Sequence, residues 1–217
     1  MNFYILVALN FTILIAGIVG GIRFRNVHHN YYPLLYFFWL GGFNEILSYV
    51  LIHMDVNIAI NGNVYILFES FLIAWYFKRT GLFKNATILF YCILTALAVV
   101  WVFENFVFNS ITKVGVYFRI LYSFTIVLMS IHSVNTLITR RGGALLKDAS
   151  FLINVGFITY YTYKVIVEAF WIYGLSSSLN FQMVVYNILI YINAIVNFIY
   201  ALAALWMPKR QAFTLPS

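Results

Sequence analysis

Seven runs of apolar residues follow one another along this chain, separated by short connectors that carry most of its charge. They cover about residues 3–22, 32–52, 58–77, 86–103, 113–137, 149–173 and 179–206. Each is near the ~20 residues a helix needs to cross ~30 Å of hydrocarbon. The pattern predicts an all-α integral membrane protein, a single seven-helix bundle with a short tail over residues 207–217. No basic segment precedes the first run, which therefore reads as a retained first helix and not as a cleaved leader. The third run is the weakest, because Asn61, Gly62 and Asn63 interrupt it. The last run stops at Pro208, which cannot continue a helix.

Composition strengthens this reading. Hydrophobic residues make up 64% of the chain and charged residues 9%, against roughly 45–50% and 25% in soluble domains. So much apolar surface has no soluble core to enter, and lipid must be its solvent. The net charge of +7 invites a nucleic-acid reading, but its distribution assigns it to topology. Ten basic residues lie in the connectors after the first, third, fifth and seventh runs, and Lys113 alone lies in the others. Short loops of this kind follow the positive-inside rule. The expected amino terminus is outside and the carboxyl terminus cytoplasmic, as in a multi-pass protein of a bacterial-type cytoplasmic membrane. The single cysteine, Cys92, excludes an intrachain disulfide and a thiolate metal cluster.

The chemistry resides in the charges inside the runs. Lys164 and Glu168 stand one helical turn apart. Together with Asn154, Phe157, Tyr161 and Trp171 they form one stripe of the sixth run. Glu45 and Glu69 lie near the middle of the second and third runs, and Arg119 lies on the fifth at a depth similar to Glu168. Charges at such depth are costly in hydrocarbon and face a bundle interior or a watery cavity. The three carboxylates and two cations nearly cancel. Gln182, Tyr186, Asn193, Asn197 and Tyr200 fall on one face of the seventh run, and Tyr65, Glu69 and Tyr76 on one face of the third. Gly41, Asn44, Glu45 and Ser48 give the second run a small, polar side that suits close helix approach. The stripes predict a common polar interior open toward the outer half. Its candidate ligand contacts are Glu45, Glu69, Arg119, Lys164, Glu168, Asn193 and Asn197.

Several functions are excluded by missing residues. The last run has no lysine for a retinal Schiff base. His28, His29, His53 and His132 fall on different sides and do not form the set a membrane zinc hydrolase needs. No Pro-Gln pair, Gly-x-Ser-x-Gly, His-Glu-x-x-His or phosphate loop occurs. In topology alone the chain resembles the compact seven-helix input modules of bacterial sensory systems. Three functions remain. The first is a sensor that binds a small polar or zwitterionic solute and signals to a cytoplasmic partner through basic inner loops (Arg140, Arg141, Lys147). The second is a small proton-coupled transporter using Glu168 or Glu69. The third is a lipid-modifying enzyme with Glu45 or Glu69 as acid or base. No cofactor, metal or nucleic acid is expected in any of them.

Overall fold

The computed structural model describes residues 3–108, 110–140, 145–173 and 179–209. Among them the regular structure is helical: α1 Phe3–Asn10, α2 Ile13–Arg23, α3 Tyr32–His53, α4 Ala59–Arg79, α5 Thr87–Val102, α6 Tyr117–Arg140, α7 Ala149–Tyr173 and α8 Leu179–Trp206. Six helical stretches are long and apolar enough to cross a membrane, Tyr4–Asn26, His29–His53, Thr87–Phe108, Tyr117–Thr139, Ala149–Phe170 and Met183–Trp206. The first of these includes both α1 and α2.

The helix between the second and third of those stretches, α4, is as long as the others but less apolar. Its polar residues Asn63, Glu69 and Ser70 are buried, and its exposed positions include Ile60, Phe68 and Trp75. Those three recur at helical spacing on one face. The helix is thus polar toward its neighbours and apolar outward, as a helix in lipid must be when it carries interior groups. Asn61 and Asn63 do not break it. Asn61 donates to Asn44 (2.9 Å) and Ser48 (3.0 Å) of α3, and Asn63 donates to the carbonyls of Ile111 (3.1 Å) and Lys113 (2.7 Å).

The helices close into a ring. α2 packs on α3, α3 on α4, α4 on α6, α6 on α7, α7 on α8, and α8 returns to α2. α5 lies outside the ring, against α4 and α6. Close approach is built in at small residues. A Cβ on Gly42 would stand 2.5 Å from a methyl of Leu14, and one on Gly156 would stand 2.6 Å from the Tyr200 ring.

Helix ends depart from the sequence expectation at three places. The first run is two helices, interrupted at Phe11 and Thr12, where the Thr12 hydroxyl donates to the Leu9 carbonyl at 2.6 Å. Such back-bonding competes with the helical ladder. The fourth run continues through one wide π-type turn over Phe103–Phe108. The fifth helix starts at Tyr117 and not at residue 113, because Glu104 caps it there: its carboxylate accepts from the amides of Tyr117 (2.8 Å) and Phe118 (2.6 Å). An anion at a helix amino terminus meets both free N–H groups and the favourable end of the dipole.

One end of the bundle gathers the connectors rich in basic residues. Arg23 donates to the carbonyls of Ala204 (2.6 Å), Leu205 and Met207 (3.1 Å), and His28 N–H donates to the Pro208 carbonyl at 3.0 Å. Arg23 thereby satisfies the last carbonyls of α8, which have no acceptor role left within the helix. Replacing Arg23 by methionine should cost about 1–2 kcal/mol. Lysine should restore only part of it, since one ammonium cannot fork across three carbonyls. Thermal unfolding of the two variants checks this. At the opposite end Asn57 donates to the Thr112 carbonyl at 2.9 Å and joins the α3–α4 connector to the one before α6.

Candidate functional site

The stripe of α7 faces the interior. Asn154, Phe157 and Tyr161 are fully buried, and Lys164 and Glu168 nearly so; the Trp171 side chain lies outside the described residues. Lys164 and Glu168, although one turn apart, each find an opposite charge across the bundle. Lys164 Nζ stands 3.9 Å from Glu69 Oε2, and Glu168 Oε1 accepts from Arg119 Nη1 at 3.5 Å. The adjacency of α6 and α7 brings the Arg119–Glu168 pair together.

Glu69 is the centre of this arrangement. Its Oε1 accepts from the hydroxyls of Tyr161 (2.9 Å) and Tyr65 (3.2 Å), and its Oε2 from Tyr122 (2.8 Å). Lys164 in turn donates to the Tyr122 oxygen. The proton directions are fixed throughout: an ammonium donates to a phenol that donates to a carboxylate. The Lys164 ammonium also lies over the rings of Tyr122, Tyr160 and Tyr161 at 5.0, 5.4 and 5.7 Å from their centroids, within cation–π range. A buried ion pair of this kind is tolerated because hydrogen bonds fill its remaining valences.

Beside Glu69 lies a cavity of about 70 Å³, room for roughly two waters. Glu45 of α3, Glu69 and Tyr65 of α4, and Asn193 and Asn197 of α8 line it, with Tyr160 closing one side. Asn10 and Ile13, the residues flanking the break in the first helix, line it as well. Non-helical backbone at membrane depth is stable where it lines a polar cavity or is bonded by a neighbour. Both hold here, since Asn197 Nδ2 donates to the Thr12 hydroxyl at 3.0 Å. That hydroxyl already donates to Leu9, so it accepts from Asn197, and the Asn197 oxygen is left as an acceptor.

Phe37 and Tyr200 form the cavity's lower wall. They belong to an aromatic layer centred on Phe157, whose ring lies 5.6–6.1 Å from those of Tyr200, Phe77, Tyr76 and Phe37. On its helix each of these residues lies nearer the end that carries the basic connectors. Beyond the layer a second buried polar group begins: Asn154 donates to Ser133 (3.2 Å), and Tyr31 and Ser150 share a hydrogen bond of 2.7 Å.

The sequence candidates thus divide into two sets. Glu45, Glu69, Asn193 and Asn197 line the cavity; Arg119, Lys164 and Glu168 are not among its lining residues. They form a line of paired charges behind Glu69. Tyr186 is exposed, and the Gln182 side chain lies outside the described residues. Arg141 and the Arg140 side chain, named above as a partner surface, also lie outside them; Lys147 is exposed. Asn10, Tyr122 and Tyr160 were not read from the sequence as site residues. The signal for Asn10 was present, as an amide inside an apolar run; two tyrosines out of 17 carried none. No cluster of three metal-ligating side chains forms among the described residues. No family model, curated protein or solved structure matches the chain.

Proposed function

We propose that this chain is a seven-span, receptor-like membrane module with its amino terminus outside, which binds a small polar solute in an outward-facing cavity. A separate cytoplasmic partner would read its state at the basic inner end. The observation that carries this reading is the polar cavity lined by Glu45, Asn10 and Asn193, with the aromatic layer around Phe157 lying toward the end that carries the basic connectors. If that layer closes the cavity on the cytoplasmic side, the site suits reception better than passage. Occupancy would be felt by α4 and α7, because Glu69 and Tyr160 belong both to the cavity wall and to the Lys164 cage. The lipid-facing side of α4 supports counting it as a span, and the charge of the connectors supports the orientation.

A second reading, a small proton-coupled transporter, is supported by the interrupted first helix beside the cavity, a device that transporters use at binding sites. Glu45→Cys in a Cys92→Ser background separates the two. In sealed vesicles a membrane-impermeant thiol reagent should label that variant from the outer face and not from the inner face. Labelling from both faces would favour transport, and labelling from the inner face alone would overturn the orientation.

A further inference from the structure

We infer that the cavity is built for a small primary ammonium, held by the Glu45 carboxylate. The inference rests on the outward-facing cavity proposed above and names the chemical class of its ligand.

The charge count comes first. Of four described carboxylates inside or at the edge of the bundle, three can be followed to their partners. Glu69 takes Lys164 and three phenols, Glu168 takes Arg119, and Glu104 takes two backbone amides. Glu45 alone makes no hydrogen bond or ion pair among the described residues, yet it is half-buried and lines the cavity. A carboxylate in that setting calls for a cation.

The neutral lining groups select the cation's shape. Asn197 spends one N–H on Thr12 and keeps its oxygen as an acceptor at the cavity. Tyr65 gives its proton to Glu69 and keeps only lone pairs for the cavity. Tyr200 is 2% exposed, and its buried hydroxyl makes no hydrogen bond among the described residues. Amide and phenol oxygens thus stand beside the Glu45 carboxylate in the lining, and an ammonium can donate to several of them at once while Glu45 supplies the opposite charge. No cation lines it, because Lys164 and Arg119 are engaged elsewhere. This disfavours the zwitterion expected from sequence. The size of the cavity admits about three non-hydrogen atoms, enough for an ammonium and a short stem.

The same core already holds one ammonium in this manner. Lys164 sits between a carboxylate and tyrosine rings, and Tyr160 belongs to both that cage and the cavity wall. The cavity repeats the arrangement on the other side of Tyr160 with Glu45 as the anion and an incoming ligand as the ammonium.

The test is thermal unfolding of the full chain in lipid nanodiscs, titrated with ethylammonium or ethanolamine chloride. Sodium chloride and tetramethylammonium chloride at equal ionic strength serve as comparisons. Both primary amines should raise Tm saturably, as binding to the folded state requires. Glu45→Gln should raise the half-saturating concentration about tenfold or more, the usual effect of losing a charged hydrogen bond. Tyr200→Phe, which removes a hydroxyl without a protein partner, should keep the fold and weaken binding a few-fold. It stands in if Glu45→Gln does not fold. Absence of saturable stabilisation by either amine, an unchanged response in both variants, or an equal effect of sodium would overturn the ammonium assignment. If that happens while Glu45→Cys is still labelled from outside, the outward-facing cavity survives and only its ligand class falls. If labelling fails too, both fall.

Discussion

Lys164→Met should be the most damaging single substitution in the transmembrane core, lowering stability by about 3 kcal/mol or more. The change keeps the length and apolar stem of the side chain and removes only the ammonium. Glu69 then remains buried with three phenol donors but without a counter-charge. Tyr122 loses the group that orients its hydroxyl toward Glu69. The magnitude is diagnostic. Neutral hydrogen bonds between transmembrane helices average about 0.6 kcal/mol and reach about 1.7, so a loss within that range would mean that charge pairing contributes little. Glu69→Gln alone should cost a similar amount, because it leaves the ammonium facing a neutral amide. The double substitution removes both charges and should cost clearly less than the sum of the two. Equilibrium unfolding in mixed micelles across the four proteins gives the coupling directly. Strict additivity would show that Lys164 and Glu69 do not act as a pair.

This pair also marks where the sequence stops being legible. That Lys164, Glu168, Glu69 and Arg119 turn inward follows from the cost of charge in hydrocarbon, and the helical repeat puts them on the correct faces. Which charge meets which follows only in part. Similar depth and a short connector put Arg119 opposite Glu168, as found, but spacing along one helix suggests Lys164 with Glu168, whereas Lys164 reaches across to Glu69 of α4. Exchange of partners of this kind depends on the closed order of the ring, which only the tertiary packing sets. The break at Phe11 and Thr12 is hidden for a related reason. Neither residue is a helix breaker in letters, and the interruption is held by Asn197, far away in sequence. Helix existence was legible in all seven runs, α4 among them with its face of Tyr65, Glu69 and Tyr76, because a long apolar stretch needs no partner to be recognised. The role of Asn61 and Asn63 was not, since they make sense only once the neighbours they bond are known.

Glu104 shows the same lesson from the opposite side, and it carries the second large effect. In the sequence it reads as a connector residue at the outer surface. In the structure it is 4% exposed, and its two oxygens hold the first two amides of α6. Glu104→Ala should cost about 2–3 kcal/mol, since a buried cap is lost and a buried N–H at Phe118 is left without its acceptor. The consequence extends to the charge line, because Arg119 is the next residue after Phe118. If the first turn of α6 loosens, the Arg119 guanidinium is no longer held opposite Glu168 at 3.5 Å. Glu168→Gln should therefore cost less in a Glu104→Ala background than in the intact protein, a non-additivity of at least ~0.5 kcal/mol. Unfolding of the two single variants and the double variant measures it. A sum that is additive within error would confine Glu104 to capping and separate it from the polar interior. Coupling of the expected sign would make the outer connector part of the apparatus that sets the geometry of the buried charges.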